Sequence, residues 1–234
     1  MGIRDWLLEL LFPSRCAFCG RLTGPGQEVC GDCAVALPRV PDGQVLRRAG
    51  DYDCAVAFYY DGPVREGVLG LKFHNKPWRA RVFGGYIAQT AAEHLSGRFD
   101  AVTYVPVSWQ RRYRRGYDQA RLLARSAAKV WGVREEPVLR KTRNTRPQSG
   151  LDDPGSRRAN VRDAYAVPRP ERVRGRRFLL IDDVCTTGST LAACAGALMA
   201  AGAESVVCAA LAGGHAGASE ENGGAEGKSS EKVM

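Results

Sequence analysis

Phe178-Leu-Leu-Ile-Asp-Asp-Val-Cys-Thr-Thr-Gly-Ser-Thr-Leu191 carries more structural information than any other segment of the chain. The pattern predicts a buried strand that ends in two acids, then a short loop of hydroxyl residues and glycine that opens a helix. Backbone N–H groups at a helix N-terminus, together with several hydroxyls, can bind a phosphate monoester. Asp182 and Asp183 would repel that phosphate, so we expect them to bind another part of the same ligand, such as sugar hydroxyls or a magnesium ion.

The sequence on both sides of this segment alternates between predicted strands and predicted helices. We expect strands at 55–60, 100–107, 178–181 and 205–211, and helices at 63–73, 77–95, 117–131 and 190–201. This alternation is typical of an α/β fold with a mostly parallel sheet. The polar stretch from 141 to 170 has weak periodicity and predicts a long loop, which is usually functional or mobile.

Four cysteines near the N-terminus form two Cys-x-x-Cys pairs with ten residues between them: Cys16, Cys19, Cys30 and Cys33. This spacing predicts a structural zinc site with four thiolate ligands. An iron–sulfur centre or a rubredoxin-like iron site is the main alternative. Disulfides are disfavoured in a reducing cytoplasm, and a redox pair would normally stand alone on a thioredoxin-like unit. The other cysteines stand singly in apolar surroundings, where we expect small buried side chains.

These patterns divide the chain into four predicted segments. Residues 1–40 are a zinc-binding ribbon with a leading helix at 5–12, and residues 41–53, which contain several Pro and Gly, are a linker. Residues 54–213 form the α/β domain. Residues 214–234 are rich in Gly, Ser and Glu, a composition that predicts a disordered tail.

The overall composition narrows the class of protein. The chain has 234 residues, of which 44% are hydrophobic, as in an ordinary globular protein. No apolar run approaches the ~18 residues that a membrane span needs, and the first residues make a poor signal peptide. We therefore expect a cytoplasmic protein with no membrane insertion. The net charge of +9 predicts either an anionic partner or a well-solvated basic surface.

Residues 181–190 resemble the signature of the type I phosphoribosyltransferase fold, which binds the ribose 5-phosphate of phosphoribosyl pyrophosphate (PRPP). The resemblance implies that Asp182 and Asp183 hold the ribose hydroxyls and that magnesium binds together with PRPP. It also implies a cradle for the 5′-phosphate made by Thr186, Thr187, Gly188, Ser189 and Thr190. The segment 54–213 is then a phosphoribosyltransferase-like domain.

Further motifs resemble those of the ComF competence-protein family, whose members join a zinc ribbon to a phosphoribosyltransferase domain. They are Val105-Pro-Val-Ser108 with residues 111–120, Leu71-Lys-Phe73, residues 148–151 and residues 157–161. The resemblance implies a loop that faces the pyrophosphate, made by Val107, Ser108, Arg111 and Arg112. It also implies that residues 141–161 close over the site. Ser108 stands where the family commonly has proline, and Tyr117-Asp118 replaces a usual Phe-Asn.

Two functions remain open at this stage. Trp109, Tyr113, Arg114 and Arg115 combine aromatic and cationic side chains, which can stack bases and pair phosphates, although arginines here could equally serve PRPP or solvent. The family resemblance implies a role with the DNA-uptake machinery in handling single-stranded DNA during natural transformation, and we favour this reading. The alternative is an active phosphoribosyltransferase with an unidentified acceptor. Catalytic residues cannot be named from the sequence.

Overall fold

A computed structural model describes residues 13–142 and 164–215 of the chain. The strands are β1 (Leu46–Ala49), β2 (Tyr52–Tyr59), β3 (Ala101–Tyr104), β4 (Arg140–Lys141), β5 (Tyr165–Ala166), β6 (Arg177–Cys185) and β7 (Ser205–Gly213). The helices are α1 (Gly31–Ala36), α2 (Asp42–Val45), α3 (Gly62–Phe73), α4 (Arg79–His94), α5 (Trp109–Arg115), α6 (Gln119–Val130) and α7 (Ser189–Ala200), with a 3-10 turn at Pro170–Arg172.

Five of these strands form the central sheet, in the order β1-β2-β7-β6-β3. β1 pairs antiparallel with β2, and the other neighbours pair in parallel. The middle strands carry continuous apolar runs because both of their faces are covered, and Phe178–Ile181 is fully buried. The predicted α/β fold with a mostly parallel sheet is confirmed.

The sheet topology brings two loops together at one edge. β3 and β6 are adjacent and parallel, with Tyr104 opposite Ile181. The carboxyl ends of parallel strands meet at the same edge, where ligands commonly bind in open α/β sheets. The segment that follows β3 therefore lies beside Asp182 and Asp183, which are near the carboxyl end of β6.

The N-terminal module packs directly onto the α/β domain. Phe18, which lies between the first two cysteines, is fully buried. Its ring contacts those of Phe58, Phe83 and Tyr86, with centroid distances of 6.0, 5.2 and 6.0 Å. Aromatic groups of this size bury much apolar area, so the module and the sheet share one hydrophobic core.

Two segments differ from the predicted secondary structure. Residues 41–53, which we expected to be a linker, contain α2 and the edge strand β1, which pairs with β2. β1 has two adjacent arginines and one fully buried residue, Ala49, so its sequence shows no strand alternation. Residues 109–115 form α5, where we expected a loop. No residue of α5 is buried, so α5 has no apolar stripe to reveal it.

Several expectations concern residues outside the described ranges. They are the leading helix at 5–12, most of the closing loop at 141–161, and the tail from 216 onward. In the parts of the chain that the structure describes, no helix combines the length and the apolar character needed to cross a membrane.

Candidate functional site

A polar cavity of about 980 Å³ opens at the carboxyl ends of β3 and β6. Five cationic side chains line it: Lys72, Arg111, Arg114, Arg115 and Lys141. Among the described lining residues, two acids, Asp182 and Asp183, oppose them. A concave surface with this excess of positive charge attracts ligands that carry several negative charges.

A buried ion pair forms the floor of the cavity. Lys72 Nζ lies 2.6 Å from Asp183 Oδ1, and the Asp183 side chain is only 5% exposed. Burial lowers the pKa of Lys72, but the charge and hydrogen bond of Asp183 outweigh this effect, so the pKa is raised and Lys72 stays charged. The second oxygen, Asp183 Oδ2, is buried and accepts no hydrogen bond from the described residues. A buried acceptor without a donor is rare in folded proteins, so it points to a donor on a ligand.

Asp182 lies beside this pair and is partly exposed. Its Oδ1 accepts the N–H of Asp183 at 2.8 Å. Burial and the charge of Asp183 raise the pKa of Asp182 well above its ordinary value, and the charge of Lys72 opposes them only in part. The two adjacent acids thus disfavour a double negative charge, which makes this part of the cavity more receptive to an anionic ligand.

The loop after β6 forms a cradle around the N-terminus of α7. Gly188 precedes the helix with φ of +70°, and a Cβ there would lie 2.5 Å from the Cα of Ala49, so only glycine fits. Gly188 offers no capping side chain to the N–H groups of the first turn. Thr187 Oγ1 and Ser189 Oγ are 3.0 Å apart, and Thr190 lines the cavity. Helix N–H groups and hydroxyls together make an anion-binding arrangement.

Asp118 fixes the loop that faces the cradle. Its carboxylate accepts hydrogen bonds from the N–H of Val107 at 3.2 Å and from the N–H of Arg121 at 3.1 Å. The same side chain therefore fixes the loop and caps the N-terminus of α6. Burial raises the pKa of Asp118, while these N–H groups lower it. Tyr117 donates its hydroxyl hydrogen to the carbonyl of Leu71 at 2.6 Å. The Tyr-Asp pair therefore connects this loop to the end of α3, next to the lysine of the floor.

The residues predicted to face pyrophosphate or nucleic acid separate into three groups. Val107, Arg111, Arg114 and Arg115 line the cavity. Ser108, which is buried, and Arg112 do not line it. Trp109 and Tyr113 are 73% and 85% exposed, and they too lie outside the cavity lining. The structure thus brings only the first group to the acids, and the roles of all these residues remain predictions.

The four N-terminal cysteines form a compact cluster. All four sulfurs lie within 4.8 Å of one another, and the Sγ atoms of Cys19 and Cys30 are 3.8 Å apart. Tetrahedral thiolates at about 2.3 Å from zinc require sulfurs about 3.8 Å apart, so the cluster fits this metal. Burial would raise the pKa of the Cys16 thiol, but backbone hydrogen bonds from Cys30, Cys19 and Phe18 lower it to about 6. Over the described residues, no second group of three or more potential ligands comes together.

A buried arginine lies next to this cluster. Arg79 is 2% exposed, and its Nη1 donates to the carbonyl of Gly67 at 3.0 Å. The guanidinium packs against Gly70, where any side chain would collide with it. Burial lowers the pKa of Arg79, and the charges of Cys16 and Cys19 oppose this effect. Zinc with four thiolates would carry a net negative charge, which this guanidinium would offset in part.

Comparison with known proteins agrees with both halves of the molecule. The family model described as "Double zinc ribbon domain" matches residues 7–45, and the one described as "Phosphoribosyl transferase domain" matches residues 120–230. Competence protein F of Haemophilus influenzae is 31% identical over 172 residues, which are 69% of this chain and 74% of that protein. The chain belongs to the ComF family.

Other relatives cover the chain more widely. "DNA utilization protein YhgH" of Escherichia coli is 29% identical over 203 residues, which are 82% of this chain and 86% of that protein. Among solved structures, the glutamine PRPP amidotransferase from B. subtilis complexed with ADP and GMP matches 61% of this chain and 27% of its own, with 23% identity and a TM-score of 0.40.

The predicted fold class of this ComF protein and its four-cysteine zinc site are confirmed. The zinc site is structural because protein ligands fill all four positions. The sequence reasoning assigned no role to Lys72, Asp118 or Arg79. Lys72 lies within the Leu71-Lys-Phe73 motif. A single lysine between two apolar residues near the end of a helix is the sequence feature that could have identified it. Asp118 was noted only as a departure from the family pattern.

Proposed function

We propose that this ComF protein binds PRPP in the cavity and acts in the handling of single-stranded DNA during natural transformation. The observation that supports the first half is the buried Oδ2 of Asp183, which has no donor among the described residues and lies near the carboxyl end of β6, just before the loop that leads to the N-terminus of α7. A ligand that satisfies both features has hydroxyl groups close to a phosphate. Ribose 5-phosphate has this arrangement.

The rest of PRPP also matches the charges of the cavity. In the proposed complex, Asp182 and Asp183 accept hydrogen bonds from the ribose hydroxyls, and the cradle residues donate to the 5′-phosphate. The diphosphate then faces Val107 and Arg111, which also line the cavity. Arginine suits this role because its planar fork binds phosphate oxygens through two hydrogen bonds.

Magnesium fits as an ion that enters with the ligand. Proteins usually hold Mg²⁺ through one or two carboxylates plus substrate phosphates, and this cavity offers few carboxylates. Lys72 already engages Asp183, so Asp182 is the acid less committed to protein partners. When bound, the ion would neutralise the diphosphate and help to orient it.

The DNA half of the proposal rests on α5 and on the relatives. α5 exposes Trp109 and Tyr113 among four arginines beside the cavity, and aromatic side chains with arginine bind single strands through stacking and phosphate contacts. The relatives are called competence and DNA utilization proteins. We infer that this chain works with the DNA-uptake machinery in the cytoplasm, where the thiols of its zinc site stay reduced.

A second candidate is catalytic transfer of ribose 5-phosphate to an acceptor. The cavity lies at the upper end of the usual range for ligand sites, roughly 300–1,000 Å³, and so has room for PRPP with a small acceptor. In that reaction the acceptor forms a bond to C1 of the ribose, the bond from C1 to the diphosphate oxygen breaks, and diphosphate leaves with the electron pair. The cationic wall would stabilise the departing charge.

Calorimetry on the intact protein tests the proposal. We expect PRPP with magnesium to bind more tightly than ribose 5-phosphate or inorganic diphosphate alone, since each of these fills only part of the site. A salt series with single-stranded DNA tests the second half. No measurable binding of PRPP would overturn the first half, and no binding of DNA at low salt would overturn the second. Release of diphosphate with a candidate acceptor would favour the catalytic alternative.

A further inference from the structure

A second basic surface lies along α6, outside the PRPP cavity. It is a groove of about 700 Å³ whose cationic residues are Arg121, Arg125, Lys129 and Arg134. Glu135 is the one acid among the described lining residues. The proposed PRPP site uses none of these side chains, so the groove needs its own explanation.

The first three cations form a straight stripe on one face of the helix. Arg121, Arg125 and Lys129 are spaced by four residues, and they extend over about 12 Å of helix axis. The opposite face, with Leu123 and Ala127, is fully buried against the domain. The stripe therefore faces outward as a continuous row of positive charge.

Most of this charge has no partner within the protein. Arg121 Nε pairs with Glu135 Oε1 at 3.2 Å. The side chains of Arg125, Lys129 and Arg134 form no ion pair or hydrogen bond with any residue in 13–142 or 164–215. Like charges four residues apart destabilise a helix, so the row costs stability, which the Arg121–Glu135 pair offsets at one end only. An external anion with several charges would offset it.

The groove begins close to the PRPP cavity. Gln119 lines the cavity and Arg121, two residues later, lines the groove. Arg115 on α5 donates to Gln119 Oε1 at 2.8 Å. Burial raises the pKa of Tyr104, while the charges of Arg121 and Arg112 lower it, so both guanidinium groups lie near the same phenol. Two carboxylates, Asp118 and Glu135, lie near that phenol as well. A polymer that passes from α5 into the groove therefore crosses a surface that is positive on balance and not an unbroken row of cations.

We propose that the α6 groove binds the phosphate backbone of a single-stranded nucleic acid whose neighbouring bases stack on Trp109 and Tyr113. The groove has no aromatic residue among its described lining, so it contacts phosphates and not bases. Exposed aromatic rings on α5 need unpaired bases, which favours a single strand over a duplex. This inference rests on the proposed DNA function and adds the path that the strand follows.

The test compares two triple variants with the same change in charge. The groove variant is Arg125→Gln, Lys129→Gln and Arg134→Gln, and the control is Arg65→Gln, Arg169→Gln and Arg174→Gln at exposed positions outside both cavities. Glutamine keeps helix propensity. Affinities are measured over a salt series for thymidine strands of about 4 and about 16 nucleotides, the range of common single-strand sites.

We expect the groove variant to bind the long strand at least about tenfold more weakly at low salt. The slope of log affinity against log salt should be smaller in magnitude by about 2, because each of the three lost phosphate contacts removes about 0.7. The short strand, which α5 alone can hold, should bind as before. PRPP affinity should also be unchanged. The control variant should keep most of its affinity for the long strand and most of its slope.

The outcomes separate the groove from the proposed function. If the groove variant and the control bind the long strand equally, the groove assignment is overturned while DNA binding stands. If the wild type binds no strand, the DNA half of the proposed function fails and the groove assignment fails with it. Duplex DNA or anionic vesicles could instead bind the wild type more tightly than the single strand does, with only the groove variant losing that affinity. In that case the groove binds a different polyanion, and the single-strand assignment is overturned.

Discussion

The zinc ribbon and the polar cavity both place charged or ionisable groups in buried positions, but the partners of those groups differ. In the ribbon, four thiols lie within 4.8 Å of one another and surround a single point, with Arg79 buried beside them. In the cavity, Lys72 satisfies only one oxygen of Asp183, and the other oxygen is buried without a donor. A site with all its ligands in the chain serves folding, whereas a site with an unsatisfied group serves binding. Changes in the two regions should therefore affect different measurements.

The largest effect should follow from breaking the ribbon. Changing Cys16 and Cys30 to Ser should abolish zinc binding, because two thiolates cannot complete the tetrahedral site. Binding energy here is folding energy, about 10–16 kcal/mol in small zinc modules, so the first forty residues should become protease-sensitive. Metal analysis and limited proteolysis measure both effects. The buried pair Cys194 and Cys208, changed to Ala, is the matched control, and zinc retained by the first variant would refute the assignment.

A smaller loss of stability should follow from breaking the floor of the cavity. Lys72→Met leaves the Asp183 carboxylate buried without its cation, and such a change costs about 3 kcal/mol at neutral pH. Thermal or denaturant unfolding measures this loss. Lys76→Met, outside the cavity lining, is the control. Adding Asp183→Asn to Lys72→Met should recover much of the loss, and an unaltered stability in the single variant would show that the pair is not buried in solution.

The smallest effect should be a pH-dependent gain of stability in Asp182→Asn. The pKa of Asp182 is raised on folding, so the folded state holds a proton that the unfolded state has released, and stability falls as pH rises above about 4. Removing the acid should raise the melting temperature by about 2 °C at pH 7. The gain should shrink toward pH 4, where both states become protonated. A gain that grows on acidification would contradict the direction of the shift.

The parts of the molecule that could be predicted from sequence are those in which function depends on local spacing. The cradle is one continuous strand, loop and helix, so its secondary structure could be predicted from residues 178–191 alone. The four cysteines were visible for the same reason, because each pair needs only a tight turn. The zinc site is confirmed, and the strand, loop and helix of the cradle form as predicted, because neither depends on how distant segments pack. Anion binding at the cradle stays a prediction.

The remaining features could not be predicted, because they depend on the packing of distant segments or show no periodicity in the sequence. Lys72 and Asp183 are more than a hundred residues apart, and only the parallel sheet places α3 beside the end of β6. α5 buries nothing, so its helix left no apolar periodicity. β1 is an edge strand with two charged residues out of four, which made it look like a linker.

Calorimetry with PRPP and magnesium on the double variant Asp182→Asn, Asp183→Asn tests the central claim most directly. Asparagine keeps the shape but loses the charge that strengthens hydrogen bonds from the ribose hydroxyls, each worth roughly 1.5–3 kcal/mol. We expect a loss of about 2–4 kcal/mol, or roughly 30- to 1000-fold in affinity. The control Asp42→Asn, Asp51→Asn, at two exposed acids outside the cavity lining, should bind as the wild type does. Equal affinities for the double variant and the wild type would show that the two acids do not hold the ligand and would contradict the phosphoribosyl assignment.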